Sequence, residues 1–93
     1  MTADIPGGWF IYMIRCAGGQ LYTGIATDVK RRLQEHAAGK GAKFLRGKGP
    51  LEVVFTQTMT SRSAALKAEA ALKRLSKPDK ERIVRAGTWT FTE

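Results

Sequence analysis

The chain has 93 residues, with 16 Lys and Arg against 8 Asp and Glu, a formal net charge of +8. A single Cys excludes an internal disulfide, and one Cys with one His excludes a four-cysteine or Cys2His2 zinc site. The length suits one small domain rather than two, and the basic balance favours a polyanionic partner, nucleic acid first.

Residues 1–8, "MTADIPGG", read as an N-terminal tail. They lack a basic leader region, and no apolar run in the chain approaches the length of a membrane span. With no disulfide to form, this suits a cytoplasmic protein without membrane attachment. "WFIYMIRC", Trp9 to Cys16, is β-branched, aromatic and almost continuously apolar, the pattern of a strand buried on both faces. "AGGQ" supplies a turn, and "LYTGIA", Leu21 to Ala26, is the returning strand of a hairpin. Thr27 or Asp28 can cap a helix over Val29 to Ala38, which Gly39 ends.

Gly39 to Pro50, "GKGAKFLRGKGP", reads as an exposed, mobile basic loop with room for a helical turn at "AKFLR". Leu51 to Met59 is a third strand. Ser61 or Ser63 can cap a second helix, "SAALKAEAALKRL". "SKPD" interrupts it, and Pro78 suits the first turn of a third helix, "DKERIVRAG", closed by Gly87. Residues 87–93 form a C-terminal tail able to dock through Trp89 and Phe91. The order ββαβαα predicts one α+β (α/β) domain over residues 9–86, a small three-stranded antiparallel sheet flanked by helices.

Helical phase separates the basic residues of the first helix. At about 100° per residue, Leu33 and Ala37 join Val29 on the side facing the sheet, Arg32 and His36 fall on the edge of that stripe, and Lys30 and Arg31 face water. An arginine at an apolar margin either snorkels its head into water or presents a planar, bidentate guanidinium to phosphate. For His36 alone, a structural, hydrogen-bonded histidine is the simpler reading. In the second helix Ala65, Ala68, Leu72 and Leu75 face inward and Glu69 lies at their margin. Glu69 can pair with Lys73 at i, i+4, or hold a hard divalent cation. Tyr12 and Tyr22 share a face only if the turn between their strands has an odd number of residues or a bulge, and Gly18-Gly19 permits that.

In this order, "FIY" (Phe10–Tyr12), "YTG" (Tyr22–Gly24), "IATDVKRRLQEH" and "ALKAEAALKRL" resemble the motifs of the GIY-YIG endonuclease superfamily, most of all its small stand-alone bacterial YhbQ-like members. The resemblance implies single-metal phosphodiester hydrolysis, on DNA ahead of RNA and including branched or damaged structures. By that resemblance Tyr12 activates or positions the attacking water and His36 assists by taking a proton. Tyr22 orders the site, and Gly24 permits close approach. Arg32 holds the scissile phosphate, and Glu69 binds one Mg2+ or Mn2+. No obligate protein partner is implied.

The chain also departs from the pattern. Phe10 stands in place of the first motif's glycine, Thr23 in place of the second's isoleucine, and Ile25 where several relatives have lysine. There is no Asn in the chain at all. These departures motivate an alternative, a non-catalytic nucleic-acid-binding module on the same scaffold. In that reading Lys40, Lys43, Arg46 and Lys48 of the glycine-rich loop carry the phosphate contacts.

Overall fold

The computed structural model describes residues 8–91. The N-terminal tail expected over residues 1–8 lies, except for Gly8, outside the described residues. A three-stranded antiparallel sheet is built from β1 (Trp9–Arg15), β2 (Leu21–Ala26) and β3 (Glu52–Met59), in the order β2-β1-β3. Three helices accompany it, α1 (Val29–Ala37), α2 (Arg62–Lys73) and α3 (Lys77–Ala86). The predicted α+β architecture and element order are observed.

β1 is the central strand, which explains its unbroken apolar run. Alternate residues feed two separate cores. Ile11 and Met13 join Phe55, Met59 and the α2 residues Ala64, Ala65, Ala68 and Leu72 on one face. Tyr12 and Ile14 join Cys16, Ala26 and Leu45 on the other, with Val29 and Leu33 of α1 packed against them. A bulge between the partners of Met13 and Ile14 puts Val53 and Phe55 of β3, two residues apart, against opposite cores. Met13 pairs with Phe55 and Ile14 with Val53, so Val54 is the extra residue.

The hairpin turn fixes which tyrosines can meet. Cys16 N–H donates to Gln20 O and Gly19 N–H to Cys16 O, with Gly19 at φ 92°, where glycine is unstrained. Three residues, Ala17 to Gly19, therefore lie between the last paired positions, an odd number. Tyr12 pairs with Gly24 and Ile14 with Tyr22, so both tyrosine side chains stand on the same face.

The helix signals act as expected from their chemistry. Asp28, Ser61 and Ser76 each accept from a first-turn N–H, and Gly87 ends α3 at φ 76°. Arg15 makes a two-pronged ion pair with Glu81, both bonds 2.7 Å, tying β1 to α3 and holding the Glu81 pKa down at about 2. The C-terminal segment docks through its backbone as well as its rings. Gln57 Nε2 donates to Trp89 O and Gln57 Oε1 accepts from Trp89 N–H, while Trp89 and Phe91 stack beside the first core.

Two expectations are corrected. Ala37, assigned to the sheet-facing stripe, is exposed, and His36 is the buried residue of α1. The buried direction of α1 lies between Val29 and His36 because the helix leans on the tyrosine face. The segment 39–50 is not a free loop. Leu45, in a short 3-10 turn at Lys43–Leu45, is 1% exposed within the second core. Ala17 N–H donates to Lys48 O at 3.0 Å, which fastens the segment's far end to the hairpin.

Candidate active site

Four of the expected site side chains converge on the α1 side of the sheet. Tyr12 and His36 are 1% and 2% exposed, and Tyr12 Oη lies 2.9 Å from His36 Nε2. Tyr22 meets His36 edge-on at 5.4 Å between ring centroids and Tyr12 at 6.4 Å. Arg32 stands close enough to Tyr12 for each to shift the other's pKa, while its Nη1 donates to Glu35 Oε1 at 2.9 Å. Helical phase separates the arginines as expected. The Arg31 side chain is 76% exposed and the Arg32 side chain 37%.

Gly24 sits beneath this group. A Cβ there would lie 2.5 Å from Tyr12 Oη and 3.1 Å from the Tyr22 ring. Any side chain at this position would drive the two tyrosines apart.

The hydrogen bonds of His36 decide its tautomer. Ala42 N–H donates to Nδ1 at 3.0 Å, so in the neutral ring the proton resides on Nε2 and is donated to Tyr12 Oη. Both ring nitrogens are satisfied, as burial requires. Burial, with the Arg32 charge nearby, holds the His36 pKa below its ordinary value. Burial also pushes Tyr12 up to about 12, aided by Tyr22 and Glu69 and opposed by Arg32.

Gly41 completes the seat of His36. A Cβ at Gly41 would overlap His36 Nδ1, and the ring is held at both nitrogens and cannot step aside. Gly41→Ala is expected to cost about 1–3 kcal/mol of stability by overpacking, measurable as a lowered urea midpoint with an unchanged m-value.

Glu69 comes to the site from a different helix. It belongs to α2, whose buried residues pack on the Ile11 and Met13 face, and its charge reaches the site as one of the influences on Tyr12. Its side chain is 20% exposed and its Oε2 pairs with Lys73 at 3.2 Å. Among the described residues no three His, Cys, Asp or Glu side chains converge on one point. That donor set does not suit zinc. One carboxylate does suit a hard ion such as Mg2+, which keeps several waters and takes the rest of its shell from phosphate oxygens.

Of the expected phosphate ligands in the 39–50 segment, Lys40, Lys43 and Arg46 are exposed and Lys48 is half-buried. Lys48 Nζ lies 5.0 Å from the centre of the Phe44 ring, which itself stacks on Tyr22. Phe44, Gly41, Glu35 and the Ala42 amide escaped the sequence reading. In "AKFLR" two adjacent apolar residues gave no sign of which turns inward, and a backbone amide leaves no mark in a sequence.

The model of the GIY-YIG catalytic domain matches residues 8–82 of this chain. The chain belongs to the GIY-YIG family. Within it, the chain is 56% identical over 80 residues to the UPF0213 protein YhbQ of Shigella dysenteriae, covering 86% of this chain and 80% of that protein. It is 57% identical over 79 residues to YhbQ of Escherichia coli K12, covering 85% and 79%, and so groups with the small stand-alone bacterial members. A solution NMR structure of a UPF0213 protein from Bacillus halodurans matches with a TM-score of 0.56 and 42% identity, over 85% of this chain and 84% of that one. A second, from E. faecalis, matches with a TM-score of 0.59 and 32% identity, over 92% and 93%. Membership of the GIY-YIG family puts the chain in a nuclease superfamily. No helix among the described residues is long and apolar enough to cross a membrane.

Proposed function

We propose that this protein is a metal-dependent endonuclease that hydrolyses phosphodiester bonds in DNA, including structured or damaged DNA, with little sequence selectivity. The observation that carries the reading is Tyr12 Oη, seated over Gly24, held 2.9 Å from His36 Nε2 and flanked by Arg32. Cleavage needs a positioned nucleophilic water, neutralised phosphate charge and a stabilised leaving oxygen.

Each residue then has a task. Arg32 exchanges Glu35 for the scissile phosphate and offsets the charge that grows in the transition state. Tyr12 orients the attacking water and, after its own proton has passed to solvent, receives the water's proton as a phenolate. Tyrosine is a weak base, all the more so with a pKa of about 12, so it needs help to lose its own proton. Arg32 and the Nε2–H of His36 supply that help by stabilising negative charge on Oη. His36 in this tautomer is therefore a donor to Tyr12 and a positioning residue, rather than the proton acceptor that the family resemblance suggests. Tyr22 packs the site and contacts the phosphate. Glu69 would hold one Mg2+ or Mn2+, which when bound supplies Lewis-acid stabilisation of phosphate charge. Engaging the Glu69 charge would also weaken one of the influences that keep the proton on Tyr12.

The test is incubation with labelled single-stranded, duplex, branched and nicked DNA and matching RNA, with Mg2+, with Mn2+ and with chelator. The reading expects ion-dependent cleavage that chelator abolishes. Cleavage of none of these would leave the binding-module alternative, which the exposed Lys40, Lys43 and Arg46 favour. On that alternative affinity falls steeply with salt, and neutralising any one phosphate-binding cation reduces the salt slope by about one unit.

A further inference from the structure

Phe44 is 49% exposed, although it lies beside the most buried part of the candidate site. Its ring stacks on Tyr22 with centroids 6.2 Å apart and planes 22° from parallel. Tyr22 leads on to His36 and Tyr12. An aromatic row thus runs from the buried hydroxyl of Tyr12 out to a solvent-facing ring. Lys48 Nζ, on its flexible stem, stands 5.0 Å from that ring, and Lys43 and Arg46 lie exposed on either side in sequence.

The segment that carries the ring is pinned on both sides of it. The neighbouring Leu45 is buried in the second core, Ala42 N–H is bonded to His36, and Lys48 O accepts from Ala17 N–H. A large apolar ring half in water on a pinned segment, with the Lys48 ammonium beside it and further exposed cations in the same segment, has the make-up of a base-stacking platform in a single-strand-binding groove. In a continuous duplex each base face is covered by its neighbours. Only an unpaired base has a face to offer.

We propose that Phe44 is a stacking platform for an unpaired nucleobase beside the Tyr22–His36–Tyr12 row, so that the preferred ligand is nucleic acid with a single-stranded or unpaired segment there. On entry of the base, the Lys48 ammonium moves from the ring to the phosphate of the same nucleotide. The proposal rests on the nucleic-acid reading above but not on catalysis.

The experiment is therefore a binding measurement in chelator. Wild type, Phe44→Ala, Phe44→Leu and Phe44→Tyr are titrated against a 2-aminopurine-labelled single strand and the duplex of the same sequence at one ionic strength, with circular dichroism to confirm the fold. Phe44→Ala should weaken single-strand binding by about 5- to 150-fold and duplex binding by less than about twofold. Phe44→Leu, apolar but without a π face, should behave like Phe44→Ala, and Phe44→Tyr like wild type. The 2-aminopurine quenching produced by wild type should disappear in Phe44→Ala. Equal losses on both forms, an unchanged single-strand affinity, or no preference of wild type for the single strand would each overturn the proposal. Phe44 would then simply shield Tyr22. A wild type that stacks the base yet cuts nothing would uphold this inference while ending the nuclease reading, and the converse result would do the reverse.

Discussion

Arg32→Ala is expected to lower the rate of phosphodiester cleavage by about 10²–10³-fold, the scale found when one transition-state donor is removed from a preorganised site. Arg31→Ala, one residue away, should stay within about threefold of wild type. The two differ because the Arg31 side chain is 76% exposed and pairs with Glu35 at 3.5 Å, whereas Arg32 stands against Tyr12. Arg32→Lys should recover only part of the loss, since an ammonium brings the charge without the planar fork that matches two phosphate oxygens. Stability should change little in any of these variants, because the ion pairs they break are half-exposed. Single-turnover rates beside urea midpoints therefore separate the catalytic role of Arg32 from a structural one.

Tyr12→Phe is expected to cost about 10²–10⁴-fold in rate, the range for a positioned proton-transfer group. It should also cost about 1–3 kcal/mol of stability, because His36 Nε2–H loses its partner in a buried setting. The pH dependence follows from the same pair. The His36 pKa is held below its ordinary value of 6.5, so folding favours the neutral ring. Its contribution to stability is then complete above the unfolded value, about 6.5, and is lost as pH falls through the lower folded value. Tyr12 works in the opposite sense. With its pKa raised to about 12, its contribution is complete below the unfolded value near 10 and is lost as pH rises through 12. Protonating His36 also takes the Nδ1 lone pair that accepts from Ala42 N–H. Urea midpoints and cleavage rates of wild type should thus fall together on the acid side.

Local chemistry made much of the fold legible in the sequence, and long-range packing set the limits. The parity of Tyr12 and Tyr22 reduced their sharing a face to one condition, an odd turn or a bulge, which the glycines permitted and the three-residue turn meets. Asp28 and Ser61 were among the cap candidates visible in the sequence, and each completes a hydrogen bond within its helix's first turn, whereas α3 was signalled by Pro78 and its cap, Ser76, was not singled out. The phase of α1 was right for Arg32 and wrong for Ala37. Periodicity alone counts Ala37 as apolar and His36 as marginal, and it cannot register that Tyr12 and the Ala42 amide together make a buried seat for an imidazole. The same blindness affected Gly39 to Pro50. Its glycines and lysines read as free loop, and the single side chain that pins it, Leu45, looked no different from Phe44 beside it. The bulge at Val54 and the position of Glu69 on a helix packed against the other face of the sheet are products of tertiary assembly. For Glu69 the candidacy was visible but its place relative to the tyrosines was not.

In the proposed nuclease, metal dependence rests on Glu69. The most direct measurement is cleavage of an end-labelled nucleic acid by wild type and Glu69→Ala in saturating Mn2+, with Lys73→Ala as control for the broken ion pair. The expected result is a loss of about 10²-fold or more in Glu69→Ala, with Lys73→Ala close to wild type. Cleavage by Glu69→Ala at the wild-type rate would contradict it.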